Sequence, residues 1–463
     1  MDNIKIIAKF NNSIYILILL VLSTVLIVYT TQAFIIIGAI FFLIILGSVS
    51  ILAKNSRKLL AYLILIWIIM AVSSTILHGI FLIKELILPN KLNNMLVYGY
   101  KNLMPIFITI TLLTSLPKFN RYILIAFLLT LYGLFQSLQM LNKSVFVYLT
   151  NIFGIPTFLL ALQKINKKAI AKQQIERIYF MIGIFSLIFG LFNIMLIISH
   201  LNTDFWIDVL NMHYVIPFKN TNYNLIGLAK KEALTGGQFF SVIGSHEFTR
   251  LTSFFANAIQ YGYFIAAFSI YLFHKRRIGW FFLSLIELLL TFSKGAYLFI
   301  VSYFSFLLAS KVTKYWKIWT ILYFILLLFA LLKNPWLNEA TSIGAHLIGL
   351  INGIVKGGLW GHGFGNVGNL GLIEGREIVH IVLGESAIGV LSYAMGIIPT
   401  SLFYLFLYKL MKQIGGKKGE IIAFSYIICS AFQENLLNTS TYPLVLMPLI
   451  FISKIKKKRK KKK

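Results

Sequence analysis

A small set of ionisable side chains stands out from a largely apolar chain: Arg250, Lys294, Arg376, Glu287, Glu377, Glu385, Glu434, His346, His362 and His380. Histidine and carboxylate side chains are the usual acceptors of a proton from a sugar hydroxyl, and arginine is the usual clamp for a diphosphate. Each residue also has a plainer reading. Arg250 opens the run Arg250–Gly262 where a polar stretch meets an apolar one. There it is either a snorkelling anchor or an anion ligand. Lys294 sits in Thr291-Phe-Ser-Lys-Gly-Ala296, at a tight turn between two apolar runs. Glu287 lies two helical turns earlier and faces the same way. A carboxylate in such a run needs a partner or water, so Glu287 either braces Lys294 or Arg250 or takes part in chemistry. Arg376, Glu377, His380 and Glu385 crowd the end of a long polar stretch, while His346 and His362 lie within it. Glu434, in Gln433-Glu434-Asn435, suits capping as well as function. The loop Gly361-His-Gly-Phe-Gly-Asn-Val-Gly368 is glycine-spaced but lacks the strand, the helix and the Gly-Lys-Ser/Thr of a nucleotide loop. Its glycines fit a tight turn close to a ligand or the lipid surface. No spacing of His, Asp or Glu suggests a metal cage, and no cofactor is implied.

The elements that must carry these residues are membrane helices. Hydrophobic residues make up 58% of the 463 and charged residues 12%, and apolar runs of membrane length recur from end to end. The spacing predicts spans at Ile14–Tyr29, Ala33–Ala53, Leu59–Leu77, Leu103–Leu116, Tyr122–Met140, Val145–Leu162 and Ile178–Ser199. Further spans are expected at Leu251–Phe273, Ile278–Phe292, Gly295–Ala309, Ile318–Leu332, Ser386–Tyr408, Ile421–Leu437 and Tyr442–Ile452. The reading is an all-α polytopic bundle of about fourteen transmembrane helices in a single membrane domain, 1–463. The first run lacks a small-residue cleavage site and is expected to be a retained helix.

Charge orders these spans. The net charge of +29 is clustered between apolar runs, with nine of the 43 Lys/Arg between Lys454 and Lys463. That pattern serves membrane topology and an anionic leaflet rather than nucleic acid, which is excluded as a partner. With the N-terminus inside and one crossing per span, 31 of the 43 basic residues fall on the cytoplasmic side, and ten of the 14 acidic ones fall outside, counting Glu434 near the outer end of its span. Both termini are then cytoplasmic, and the expected location is a bacterial cytoplasmic membrane. The single cysteine, Cys429, permits no disulfide within the chain. Two stretches, His200–Arg250 and Lys333–Glu385, are about fifty residues each and fall outside. Their aromatic residues and the apolar piece Ala345–Ile354 predict packed caps with interfacial helices over an outward-facing cavity.

On these motifs the chain resembles the O-antigen polymerase/O-antigen ligase superfamily, in particular the Wzy-like polymerases of capsule and exopolysaccharide. In that family an arginine leads a glycine-spaced run into a helix, as Arg250–Gly262 does here. A Ser-Arg-Gly turn follows; Ser293-Lys294-Gly295 is similar, with Lys replacing Arg. A large outer loop holds a Gly-x-Gly-x-Gly stretch, matched by Gly361–Gly365, and ends in a His-Asn pair with a glycine eleven residues after the His. Counting back from Gly396, that pair reads Glu385-Ser386, a departure that leaves His380 as an alternative base. The resemblance spans roughly Arg250 to Gly396. It implies a GT-C-like fold and a metal-independent, inverting transfer from a glycan on undecaprenyl diphosphate to a hydroxyl of the next lipid-linked repeat. Arg250, Lys294 and Arg376 would bind the diphosphate, and Glu385 or His380 would deprotonate the acceptor. Cationic clamps can replace a metal because diphosphate is already a good leaving group. Membrane lipids, a flippase and a chain-length regulator are the implied partners. A ligase of the same superfamily and a lipid-linked sugar transporter are the alternatives, although the charges here avoid the midplane sites that transporters use.

Overall fold

The computed structural model describes residues 64, 121–140, 143–166, 169–201, 240–243, 246–255, 258–332, 342–365, 367, 386–438 and 441–453. Outside the described residues lie the first four predicted spans (Ile64 apart), most of both long loops, and the basic tail. Arg376, Glu377, His380 and Glu385 lie there too.

The described chain is helical. Helix α1 runs Arg121–Gln136, α2 Lys143–Asn166, α3 Ala169–Ile198, α4 Ala258–His274, α5 Ile278–Leu290, α6 Lys294–Val312 and α7 Trp316–Leu332. Then come α8 Ser342–Gly357, α9 Ala387–Met395, α10 Ile397–Phe432, a 3-10 turn Glu434–Leu437, α11 Tyr442–Leu446 and α12 Pro448–Ile452. One antiparallel hairpin, β1 Phe240–Ile243 with β2 His246–Thr249, leads up to Arg250. Long runs of Leu, Ile and Phe favour helix here because a helix satisfies every backbone polar group within the segment, as hydrocarbon requires. Three of the described helices are long and apolar enough to cross a membrane, at Val145–Asn166, Lys172–Ile198 and Lys294–Val312. Outward-facing Phe127 and Leu128 on α1, Met181, Phe185 and Met195 on α3, and Ile325, Leu326 and Phe329 on α7 are exposed. An apolar surface of that extent belongs against lipid rather than water.

Side-chain contacts fix how the helices alternate. At one end Lys275 pairs with Glu176, and Lys317 and Lys412 reach Glu420 at 2.7 and 3.2 Å. His274 bonds the Tyr303 hydroxyl at 2.5 Å and meets the Lys418 ammonium at 3.0 Å. Lys172 donates to the Ser453 carbonyl at 3.0 Å, and Gln413 to the Tyr122 hydroxyl at 2.6 Å. The basic clusters at 164–177, 275–277, 311–317 and 409–418 therefore gather together. At the other end the Leu251 N–H donates to the Leu290 carbonyl at 2.8 Å, and the Thr252 N–H to Asn193 Oδ1 at 3.2 Å. Gln433 meets His346 there at 3.2 Å.

Several predicted spans differ from what folds. Ser386–Tyr408 is not one helix; it breaks at Gly396, whose φ of 89° ends α9 before α10 begins. In Leu251–Phe273 the residues Leu251–Phe255 are not helical, and α4 covers Ala258 onward. The loop expected at Lys409–Lys418 is a kink inside α10 at Gly416, φ 61°, with helix on both sides. Ile421–Leu437 is the second limb of α10 followed by the 3-10 turn. Tyr442–Ile452 forms two short helices that are buried throughout. Gly396 and Gly416 make the breaks in and before α10, and Pro443 and Pro448 stand in the first turns of the last two helices; these residues interrupt a helix without any change of hydropathy.

Candidate functional site

The end opposite the basic clusters is built around the C-terminus of α5. The last carbonyls of a helix have no partner within it. Here Leu251 N–H caps the Leu290 carbonyl, and the buried Arg250 donates through Nε to the Thr291 carbonyl at 2.9 Å and through Nη2 to Phe292 at 3.4 Å. A cation at this position is also favoured by the helix dipole. Phe292 takes a left-handed φ of 47°, which costs a bulky residue energy and persists only where neighbours enforce it. Arg250 is one of those neighbours. Gly262 is another: a Cβ on it would stand 2.6 Å from that of Ser293, so only glycine lets the turn seat against α4. The turn then delivers Lys294, exposed, at the first position of α6. The two motifs read separately along the chain are thus one packed corner.

Gly295 extends the corner. A Cβ there would meet the Tyr263 hydroxyl at 2.2 Å and Gln433 Cγ at 2.5 Å. Gln433 terminates α10, and its amide donates to His346 Nε2 on α8, leaving the ring proton of a neutral His346 on Nδ1. The adjacent Glu434, buried, accepts from the Tyr148 hydroxyl, which lies 3.2 Å from the Val367 carbonyl. Arg250, Lys294, His346, Gln433 and Glu434 therefore lie along one continuous layer of contacts.

Glu287 lies one turn deeper and is fully buried. Its carboxylate accepts from Tyr261 and packs on Gly190 of α3. Among the described residues no ion pair joins it to Lys294 or Arg250, so the expected brace gives way to a tyrosine bond. His362 stands apart. It is exposed, donates from Nε2 to the Lys356 carbonyl at 2.9 Å and rests on Tyr393.

The first half of the glycine loop, Gly361–Phe364, is tied into the protein. Its N–H groups from Gly361 to Phe364 bond in turn the carbonyls of Gly357, Tyr393 and Ala394 and the Ser137 hydroxyl, at 2.8–3.0 Å. No consecutive donors remain there to cradle a phosphate. Gly361 and Gly396 close on each other, both with positive φ, and a Cβ on Gly361 would lie 2.5 Å from the Gly396 nitrogen. Ser386 caps α9 by accepting from Gly389 N–H at 3.0 Å. Arg376, His380 and Glu385 lie outside the described residues. Among the described residues no group of three His, Cys, Asp or Glu side chains could hold a metal ion.

Sequence reasoning missed Tyr148 and Tyr261. Each is a tyrosine in an apolar helix, and nothing local marks it as the partner of a carboxylate far along the chain.

No protein-family model, curated protein or solved structure matches this chain. What can be said of its activity therefore rests on the motifs and on this geometry.

Proposed function

We propose that the chain is a multi-pass membrane glycosyltransferase that joins lipid-diphosphate-linked sugar repeats into polymer at the outer face of a bacterial cytoplasmic membrane. The reading is supported chiefly by one observation: Arg250 is hydrogen-bonded to the carbonyls of Thr291, 41 residues on, and Phe292, which lead directly into the Ser-Lys-Gly turn, so the two motifs form a single corner. That corner presents a lysine at the end of the bundle opposite the basic clusters. In this reading Lys294 meets the diphosphate of the donor, Arg250 holds the turn and adds positive potential, and Arg376 joins them from the long loop. The base is Glu385 or His380. His346, hydrogen-bonded to the Gln433 side chain that packs on Gly295, serves as a positioning group. As the diphosphate departs, its charge grows on oxygens already facing fixed cations, which lowers the barrier without reorganisation.

The test is a gel profile of surface polysaccharide from a deletion strain carrying the wild-type gene, Lys294→Ala or Arg250→Ala. Single repeats in place of long chains are expected for both variants. Long polymer left on its lipid carrier would favour a ligase, and lipid-linked repeats trapped on the inner face would favour a transporter. Normal long chains from well-expressed variants would remove the assignment.

A further inference from the structure

We infer that α1 and the first limb of α10 form a binding groove for an anionic phospholipid of the cytoplasmic leaflet. The inference uses the membrane reading and its orientation but not the proposed chemistry. A groove of about 700 Å³ runs between the two helices at the end where the basic clusters gather. Its mouth carries Arg121, Lys409 and Gln413, all exposed. Its walls are apolar, with Leu128, Leu402 and Leu405 also exposed. Cations at one end and hydrocarbon along the rest is the pattern of an amphiphile with a negative head.

The mouth is ordered. Gln413 donates to the Tyr122 hydroxyl at 2.6 Å, and Tyr122 stacks on Phe406 at 5.6 Å. The Arg121 guanidinium lies 5.1 Å from the Tyr122 ring centre. Tyr122 thus ties the two helices together and sets Arg121 on the α1 side of the mouth, with Lys409 on the α10 side. Among the described residues no carboxylate lines the groove, so charge complementarity selects a phosphate-bearing head without a compensating cation over a zwitterionic one. The walls accept acyl chains wherever they face the bilayer.

The full chain, purified in mild detergent from membranes supplied with phosphatidylglycerol or phosphatidylethanolamine, would be weighed by native mass spectrometry. Retention of phosphatidylglycerol over phosphatidylethanolamine is expected. Arg121→Gln with Lys409→Gln should cut that retention on the order of tenfold or more, since each basic side chain near an anionic head contributes about 1 kcal/mol. Lys311→Gln with Lys314→Gln, an equal charge change at exposed residues of the same end, should leave it unchanged. Leu128→Trp with Leu405→Trp keeps the cations, fills the walls at exposed positions and should also abolish retention. Equal loss in both lysine and arginine sets would mean diffuse attraction only and overturn the site. So would retention in the tryptophan variant, the absence of bound lipid in the wild type, or a dimer that the Arg121/Lys409 variant dissociates.

Discussion

Arg250 and Lys294 share a corner but carry different burdens. Arg250 is buried and satisfies two carbonyls at the end of α5, so Arg250→Ala should lose stability of about 1–3 kcal/mol as well as activity. Lys294 is exposed, so Lys294→Ala should lose activity while its thermal midpoint in detergent stays close to wild type. Equal destabilisation by the two would reduce Lys294 to a structural residue. His274 makes a pH prediction. It lies just beyond the apolar run of α4, and burial, followed by Lys418 and Lys311, pushes its pKa down to about 4. The folded protein therefore holds it neutral, while the unfolded chain protonates it near 6.5. Its contribution to stability is complete above pH 6.5 and is lost as pH falls toward 4. His274→Gln should flatten melting temperature against pH across that window. An unchanged slope would place the titration elsewhere.

Among the elements, α8 and α9 pack backbone to backbone. A Cβ on Gly353 would lie 2.2 Å from the Gly389 carbonyl oxygen, and one on Gly357 2.1 Å from that of Ser392. Small residues at four-residue spacing permit this approach. Gly353→Val should therefore cost about 1–3 kcal/mol or more through overpacking, read as a lower thermal midpoint. The same pair shows how far sequence carried. The apolar piece Ala345–Ile354 predicted a helix within the long loop, and Ser342–Gly357 forms one. The break of the next run at Gly396 was not legible, because a glycine inside an apolar stretch leaves hydropathy unchanged. Lys409–Lys418 reads as a loop by charge, yet helix continues on both sides of Gly416. A lysine-rich turn of helix and a lysine-rich loop look alike in composition. At the site, Arg250, Lys294 and Gly262 were legible from their motifs. Their hydrogen bonds were not, nor was the link from Gln433 to His346, which spans 87 residues and leaves no local periodicity.

For the whole molecule, Glu420 ties the basic end together. Burial pushes its carboxyl up, but bonds from Lys317, Tyr408 and Lys412 outweigh this and hold it below the usual glutamate value. The end that collects these cations is the one that the charge pattern predicts to face the cytoplasm. The single native cysteine, Cys429, is buried, so the wild-type background is silent to thiol reagents. In intact cells a membrane-impermeant maleimide should label Lys294→Cys, and should label Lys314→Cys only after permeabilisation. Labelling of both from one side would invert or break the alternation.

The glycine loop closing on α9 has a further consequence. Its segment from Gly361 to Phe364 has no regular secondary structure, yet each of its amide protons is bonded to a partner inside the protein. Amide exchange depends on opening those bonds rather than on the label given to the segment. These four amides should exchange with heavy water as slowly as those of the neighbouring helices and in step with the end of α9. A stretch of loop would then mark, by isotope uptake, the moment at which it parts from α9.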